Sequence, residues 1–220
     1  MQSHTGDVQR LYTEKLGAYR SFIGFFRTRD ALRALLESSS VLSPKLRVLD
    51  AGAGFGTATF ALLNAFRRRG IQPEAIDAFD LTPAMLARFQ AELDSRGIST
   101  VRLMQANVLQ LDQQLPSTWR NYDLIISTSM LEYVPRADIS KALSALRDRL
   151  AQHGLLLVVI TRKNWITKIL IERLWKAERY TRQELQQAFA AAGYHDFNFS
   201  KFPLSYFWQN TASHVVTAKR

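Results

Sequence analysis

Three alternating glycines follow an aspartate in the segment Asp50-Ala51-Gly52-Ala53-Gly54-Phe55-Gly56. Glycine adopts positive φ and has no side chain, so such a turn lets a ligand approach the main chain. The carboxylate directly before the turn favours a ligand with a cationic ammonium or sulfonium group over one with a pyrophosphate. A tight turn that binds no ligand is the alternative, although these glycines would then weaken the start of the following helix.

The spacing of this segment argues against a dinucleotide. A dinucleotide site has the pattern G-x-G-x-x-G, with an acid ~20 residues further on. Here Thr57 stands where the last glycine of that pattern would be, and the next acid at a strand end is Asp80. Both departures count against nicotinamide and flavin dinucleotides.

Alternating strands and helices must position these residues. Residues 46–51, 75–80, 100–106, 122–127 and 155–161 are predicted strands, and residues 57–69, 83–96 and 138–151 are predicted helices. Strands that alternate with helices indicate a mostly parallel α/β sheet covered on both faces. A helix over 181–192 ends at Gly193, and stretches 195–202 and 212–218 then predict an antiparallel pair at one edge.

Composition narrows the class of protein. The chain has 220 residues, no cysteine and a net charge of +10. The lack of cysteine excludes a disulfide scaffold, a thiolate zinc site and a cysteine nucleophile. The charge favours a polyanionic partner, either nucleic acid or an anionic membrane surface. Since no secretory signal and no apolar run of ~20 residues are visible, we expect a cytoplasmic protein, peripheral to a membrane at most.

The ordered set of motifs resembles the class I S-adenosylmethionine-dependent methyltransferases. It is most similar to the small-molecule group that includes the ubiquinone and menaquinone biosynthesis enzymes. The resemblance covers residues 45–220 and implies a Rossmann-like seven-stranded sheet with an antiparallel last strand. It rests on the glycine turn, Phe79-Asp80-Leu81-Thr82-Pro83-Ala84-Met85-Leu86, Tyr122-Asp123-Leu124-Ile125-Ile126-Ser127 with Leu131-Glu132-Tyr133-Val134, Arg149-Leu150-Ala151-Gln152-His153-Gly154-Leu155, and Tyr180-Thr181-Arg182-Gln183-Glu184-Leu185 with Ala192-Gly193-Tyr194.

The resemblance implies S-adenosylmethionine as cofactor and a set of residues that bind it. Asp80 would accept hydrogen bonds from the ribose hydroxyls, a role that suits an ionised carboxylate; a surface acid at a helix start is the alternative. Asn107 stands where the family usually has an aspartate for the adenine amino group, and its amide oxygen can still accept that bond. The implied cofactor-binding residues are Asp50, Gly52, Gly54, Phe55, Asp80, Leu81, Met85, Asn107, Val108 and Ser127.

No general base is evident from the sequence. Glu132, Tyr133 and His214 are candidates, but Glu132 equally suits a structural acid, and Tyr133, where the family often has histidine, suits a pocket wall better than a hydrogen-bonding group. We expect no metal. Substrate contacts are expected from an N-terminal helical lid (1–44) and from an insert (162–180) in the methyltransferase domain (45–220). The candidates are Tyr12, Tyr19, Phe22, Tyr133 and Trp165.

The insert has the pattern of a basic amphipathic helix. Residues 162–182 carry seven basic and two acidic side chains. Such a helix could rest on an anionic membrane surface. A lid helix that packs its apolar face on the domain is the alternative, and we favour it.

The aromatic candidates predict a small-molecule acceptor that is aromatic or prenylated, methylated on oxygen, carbon or nitrogen. Ordinary packing of the N-terminal aromatic side chains on the sheet is an equal alternative. After strand four, Ser127-Thr128-Ser129-Met130 lacks the motif of enzymes that methylate exocyclic amino groups of DNA bases. Methylation of pyrimidine C5 needs a cysteine, so these nucleic-acid chemistries are disfavoured. An RNA or ribosomal-protein methyltransferase and a non-catalytic cofactor-binding or membrane-associated partner remain as alternatives, and the oligomeric state stays open.

Overall fold

One sheet organises the computed structural model, which describes residues 28–167 and 177–220. Its strand order is β3-β2-β1-β4-β5-β7-β6. Strands β1 to β5 are parallel to one another, and β7 runs antiparallel to both β5 and β6. The strands are β1 Arg47–Ala51, β2 Ala75–Asp80, β3 Val101–Gln105, β4 Tyr122–Thr128, β5 Leu150–Thr161, β6 Asp196–Ser200 and β7 Ser213–Lys219.

Helices follow most of these strands. Short 3₁₀ helices occupy Val108–Gln110, Leu131–Tyr133, Arg136–Asp138 and Leu204–Tyr206. The α-helices in the described residues are α1 Thr28–Ser38, α2 Thr57–Arg68, α3 Pro83–Ser95, α4 Leu111–Gln114, α5 Ile139–Arg147, α6 Trp165–Thr167, α7 Arg182–Ala191 and α8 Gln209–Ala212.

The sheet is buried on both faces. Successive residues of a strand point to opposite sides, so Val48 belongs to one apolar cluster and Leu49 to the other. Helices α1, α2 and α3 cover the Val48 face, and α5 and α7 cover the Leu49 face. This arrangement explains why the strands read as continuous apolar runs rather than as alternating ones.

The predicted fold class is confirmed, including the antiparallel strands at one edge. Two boundaries were wrong: the helix predicted over 138–151 ends at Arg147, and the strand predicted over 155–161 begins at Leu150. Leu146 and Leu150 are both buried at helical spacing, so the sequence pattern continues past the helix end. Buried Arg149 donates hydrogen bonds to the Trp119 carbonyl (3.0 Å) and to Asp112 (2.8 Å), and Leu150 pairs with Tyr122 in the sheet.

The part of the N-terminal region that the structure describes is a packed layer. Helix α1 lies against α2 and buries Leu32, Leu35 and Leu36. The predicted substrate residues Tyr12, Tyr19 and Phe22, and residues 168–176 of the insert, lie outside the described residues. Across the described part of the chain, no helix is both long and apolar enough to cross a membrane.

Candidate functional site

The strand order creates a crevice at the carboxyl end of β1. Strand β1 lies between β2 and β4, so the connections that leave β1 and β4 diverge to opposite sides of the sheet. Open α/β sheets bind ligands at such a switch point. The glycine turn and the residues after β2 and β4 therefore lie together at the carboxyl ends of the strands.

The glycine turn is tied to β2 and leaves one side free. The N–H groups of Gly52 and Ala53 both donate to the Phe79 carbonyl at 2.9 Å. Gly54 has φ +56°, and a Cβ there would meet nothing within 4 Å. Gly52 differs, because a Cβ would lie 2.1 Å from Cγ of Met130. The turn is thus packed against the loop after β4 at Gly52 and open at Gly54.

Asp80 binds the turn through its carboxylate. One oxygen accepts the Gly54 N–H at 2.8 Å, and the other accepts the Thr82 N–H at 2.8 Å. Burial raises the pKa of Asp80, while these backbone hydrogen bonds lower it. Hydrogen bonds from the Thr82 side chain and the Leu81 backbone also lower that pKa, so the chain itself already holds this carboxylate in place.

Asp50 is a buried acid at the end of β1. Its Oδ2 accepts the Thr59 hydroxyl at 2.6 Å, and its Oδ1 is buried without a hydrogen-bond partner among the described residues. Burial raises the pKa of Asp50 to about 6, against the opposing effect of the Thr59 hydrogen bond. A buried carboxylate oxygen without a donor is costly, which fits a site that is completed by a cationic or hydrogen-bonding ligand.

Ser127, near the end of β4, also has a buried polar atom without a hydrogen-bond partner in the described chain. The residue is completely buried, and the atom is its Oγ. Strands β1 and β4 are adjacent, with Asp50 opposite Ile126. Two buried polar atoms without partners therefore lie at neighbouring strand ends beside the glycine turn.

The remaining predicted cofactor residues lie in the glycine turn and after β2 and β3, and β3 pairs with β2 at Asp80. The end of β3 is joined to it, because the Ala106 N–H donates to the Asp80 carbonyl at 3.0 Å. Asn107 follows, and its side-chain oxygen accepts the Leu109 N–H at 3.0 Å. The predicted adenine acceptor thus already caps the 3₁₀ helix Val108–Gln110. Of the others, Met85 and Val108 are buried, and Phe55 and Leu81 are half-buried.

Glu132 joins β4 to β5. Its two oxygens accept the Thr161 N–H and the Thr161 hydroxyl, each at 3.0 Å, and its carbonyl accepts the Glu178 N–H at 2.7 Å. Its exposed fraction is 4%. Burial raises the pKa of Glu132 to about 7, which the Thr161 hydrogen bonds oppose. The carboxylate holds the strand ends together and is shielded from solvent.

The other catalytic and substrate candidates are spread along the same end of the sheet, where the parallel strands terminate. Half-buried Tyr133 follows Glu132 in the 3₁₀ helix after β4. His214 is the second residue of β7, three strands from β1, and its Nε2 lies 3.2 Å from the Tyr180 carbonyl. Burial, then the charge of Arg162, lowers the pKa of His214. Trp165 is 73% exposed.

Three residues of the site were missed by sequence reasoning: Thr59, Met130 and Thr161. Thr59 carried a local signal, since it lies on the first turn of the helix that follows the glycines. Met130 and Thr161 had none, because their contacts with Gly52 and Glu132 depend on the sheet. In residues 28–167 and 177–220, no group of three His, Cys, Asp or Glu side chains is placed to hold a metal ion.

Comparison with known proteins agrees with this geometry. Residues 49–156 match the family model described as a methyltransferase domain. The malonyl-[acyl-carrier protein] O-methyltransferase of Paenibacillus sp. (strain JDR-2) is 32% identical over 149 residues. That match covers 64% of this chain and 51% of the relative, so the chain spans about half the length of this curated relative.

Solved structures share the fold at low sequence identity. Magnesium protoporphyrin IX methyltransferase from Synechocystis PCC 6803, solved with bound S-adenosylmethionine, superposes with a TM-score of 0.70 at 17% identity. The match covers 99% of this chain and 97% of that one. The C-methyltransferase domain of the citrinin polyketide synthase gives 0.60 at 16% identity, over 79% of this chain and 46% of that chain.

Proposed function

Because the chain belongs to the class I S-adenosylmethionine-dependent methyltransferases, we propose that it transfers a methyl group from that cofactor to a small, fairly apolar metabolite. The observation that carries this proposal is the buried Asp50 oxygen without a donor, at the base of a glycine turn that is open at Gly54. A cationic ligand would supply what that oxygen lacks, and the open side of Gly54 would let it approach the main chain.

S-adenosylmethionine carries its methyl group on a cationic sulfur, so the chain mainly has to hold and orient the reactants. Asp50 would accept from the ammonium group of the methionine part, along the backbone of Gly52 and Gly54. Asp80 would accept the ribose hydroxyls with a carboxylate that Gly54 and Thr82 already orient. Its charge makes those hydrogen bonds stronger than neutral ones.

The adenine would lie between Leu81, Met85 and Val108. Asn107 would accept its amino group through the second lone pair of the oxygen that already accepts the Leu109 N–H. Ser127 would lie beside the transferred methyl group, and its unpartnered hydroxyl supports a role in contact with a ligand.

The proton that leaves the acceptor has no assigned base. Glu132 already accepts two hydrogen bonds from Thr161, which supports a structural role. Tyr133 is proposed as a wall of the acceptor pocket, with Trp165 at its rim. An aromatic or prenylated acceptor would suit such walls.

A second candidate acceptor is a carboxyl oxygen of a carrier-bound acid. It is favoured by the 32% identity to the malonyl-[acyl-carrier protein] enzyme. Since that match spans half of the relative, the substrate does not transfer with the family.

Two experiments test the proposal. Calorimetric titration should detect S-adenosylmethionine binding, and no binding at millimolar cofactor, or tight nicotinamide binding instead, would overturn the assignment. A labelled-methyl assay on fractionated cell extract should then place the label in lipid-soluble small molecules. Label in carrier protein would support the second candidate, and label in RNA or ribosomal protein would contradict both.

A further inference from the structure

Three large apolar side chains of the described residues are left in solvent. Trp165 is 73% exposed, Leu204 is 90% exposed and Phe207 is 63% exposed. Leu204 and Phe207 lie in the connection between β6 and β7, and Trp165 follows the end of β5. Single exposed apolar residues need no explanation, but these three belong to segments that are bonded to one another.

Backbone and side-chain hydrogen bonds join the two segments. The Arg162 N–H donates to the Ala212 carbonyl at 2.8 Å, and the Arg162 guanidinium donates to the Asn210 carbonyl at 2.9 Å. The Asn164 side-chain amide donates to the Thr211 carbonyl at 2.5 Å. We call Trp165, Leu204 and Phe207 together the apolar tip.

The connection between β6 and β7 is held firmly beneath this tip. Phe202 and Tyr206 are buried in the core on the α1 face of the sheet. The Asn210 side chain accepts the Phe202 N–H at 2.8 Å and donates to the Phe202 carbonyl at 3.2 Å. Leu204 and Phe207 are therefore exposed on a connection that is anchored to the core.

Basic residues flank the apolar tip. Arg162, Lys163 and Lys201 are exposed, and residues 200–213 contain no Asp or Glu. The nearby acids Glu178 and Glu184 both form ion pairs with Arg136, at 2.8 and 2.9 Å. Glu184 also lies 3.9 Å from Lys163. Exposed apolar side chains with cations in the same segments complement an anionic lipid surface, into which apolar groups insert while cations meet the headgroups.

The apolar tip lies at the same end of the strands as the glycine turn. Strands β5 and β6 both run antiparallel to β7, so they end on the same side. Strands β1 and β4 are parallel to β5 and end there too. A surface that touched the tip would therefore face the ligand crevice.

We propose that the apolar tip and its basic flank dock the protein on a membrane that contains anionic lipid. The acceptor would then enter the crevice from the bilayer, which makes it a membrane-dissolved molecule. This second statement rests on the proposed function, and the docking itself does not.

Flotation of the full chain tests the docking, using vesicles of equal parts phosphatidylglycerol and phosphatidylcholine against vesicles of phosphatidylcholine alone. We expect binding to the anionic vesicles only. The double variant Leu204→Ser, Phe207→Ser should weaken it by about tenfold or more, because two apolar side chains no longer insert. Lys201→Glu should weaken it by about tenfold, because a charge near the membrane is reversed.

Arg67→Glu is the matched control. It makes a similar charge change on an exposed cation at the end of α2. Because α2 runs back from the carboxyl end of β1, Arg67 lies at the opposite end of the strands from the apolar tip. Its vesicle binding should equal that of the wild type. Both tip variants change exposed residues, so unchanged thermal unfolding and S-adenosylmethionine binding should accompany the loss.

The outcomes that overturn the docking are distinct from failure of the proposed function. No vesicle binding, binding that ignores lipid charge, or an unaffected double variant would each refute it. Tight binding of poly-L-glutamate that Lys201→Glu abolishes and the double variant leaves intact would replace the membrane with an acidic protein partner. Vesicle binding without cofactor binding would refute the methyltransferase and leave the docking standing.

Discussion

Replacement of Glu132 by glutamine tests whether this acid is structural. Both side chains can bond to Thr161, since glutamine can accept its N–H through the amide oxygen and donate to its hydroxyl through the amide nitrogen. The two proteins therefore differ mainly in one titratable proton. That proton links the stability of the fold to pH.

The size of the effect follows from the buried carboxylate. Burial raises the pKa of Glu132 from 4.5 to about 7, so the folded state disfavours its ionised form. Such a group adds stability that is fully present below pH 4.5 and is lost as the pH rises through about 7. The full difference corresponds to about 3 kcal/mol. The wild type should lose about that much stability relative to Glu132→Gln between pH 4 and pH 8.5.

Urea unfolding of both proteins at several pH values measures this difference. Asp50 also has a raised pKa, but it is present in both proteins and cancels. Glu74→Gln, at an exposed acid, is the control and should stay within about 0.5 kcal/mol of the wild type at each pH. A Glu132→Gln protein whose stability follows the wild type in parallel across this range would refute the reasoning.

Methyl transfer by the same variant separates the two roles of the acid. A structural Glu132 predicts that Glu132→Gln keeps most of the activity, because the Thr161 hydrogen bonds remain. A catalytic base predicts that the activity disappears while cofactor binding persists.

Further predictions concern the cofactor crevice. Gly54→Ala and Gly97→Ala should each cost about 1 kcal/mol of stability, because both glycines have positive φ and open space around Cβ; only Gly54→Ala should weaken S-adenosylmethionine binding in calorimetry. Cofactor affinity should rise about tenfold between pH 5 and pH 7 as Asp50 ionises at a pKa of about 6, and Asp50→Asn should flatten that profile in the same titrations. Asp80→Ala should weaken cofactor binding about a hundredfold by removing two charge-assisted hydrogen bonds, whereas Asp94→Ala, at an exposed acid of α3, should leave the affinity unchanged.

Local patterns in the sequence were sufficient to predict most of the fold. The alternation of buried strands and amphipathic helices predicted both ends of β2 as they are observed, and helix α7 ends just before the turn at Gly193, as expected. The failure at 148–151 has a physical cause. Leu150 continues the helical spacing of apolar residues, and the contacts of Arg149 with Trp119 that redirect the chain are far away in sequence.

Candidate site residues could be identified from the sequence where the backbone conformation required a residue type. Gly54 is one such residue, because glycine adopts its positive φ without strain. Asp80 stands out because it ends a strand. The role of Glu132 was left open, since the sequence does not show that Thr161 on another strand occupies both oxygens. Such pairings depend on register between distant strands, which no local pattern reports.

The carboxylate of Asp80 has one consequence for any attempt to redesign the crevice. It accepts the N–H groups of Gly54 and Thr82, so it shapes the turn in addition to its proposed role in binding the ribose. Ligand preference and turn shape therefore depend on the same carboxylate, and a single substitution at position 80 alters both. A designer who wanted a different cofactor would first have to build a new acceptor for those two backbone donors.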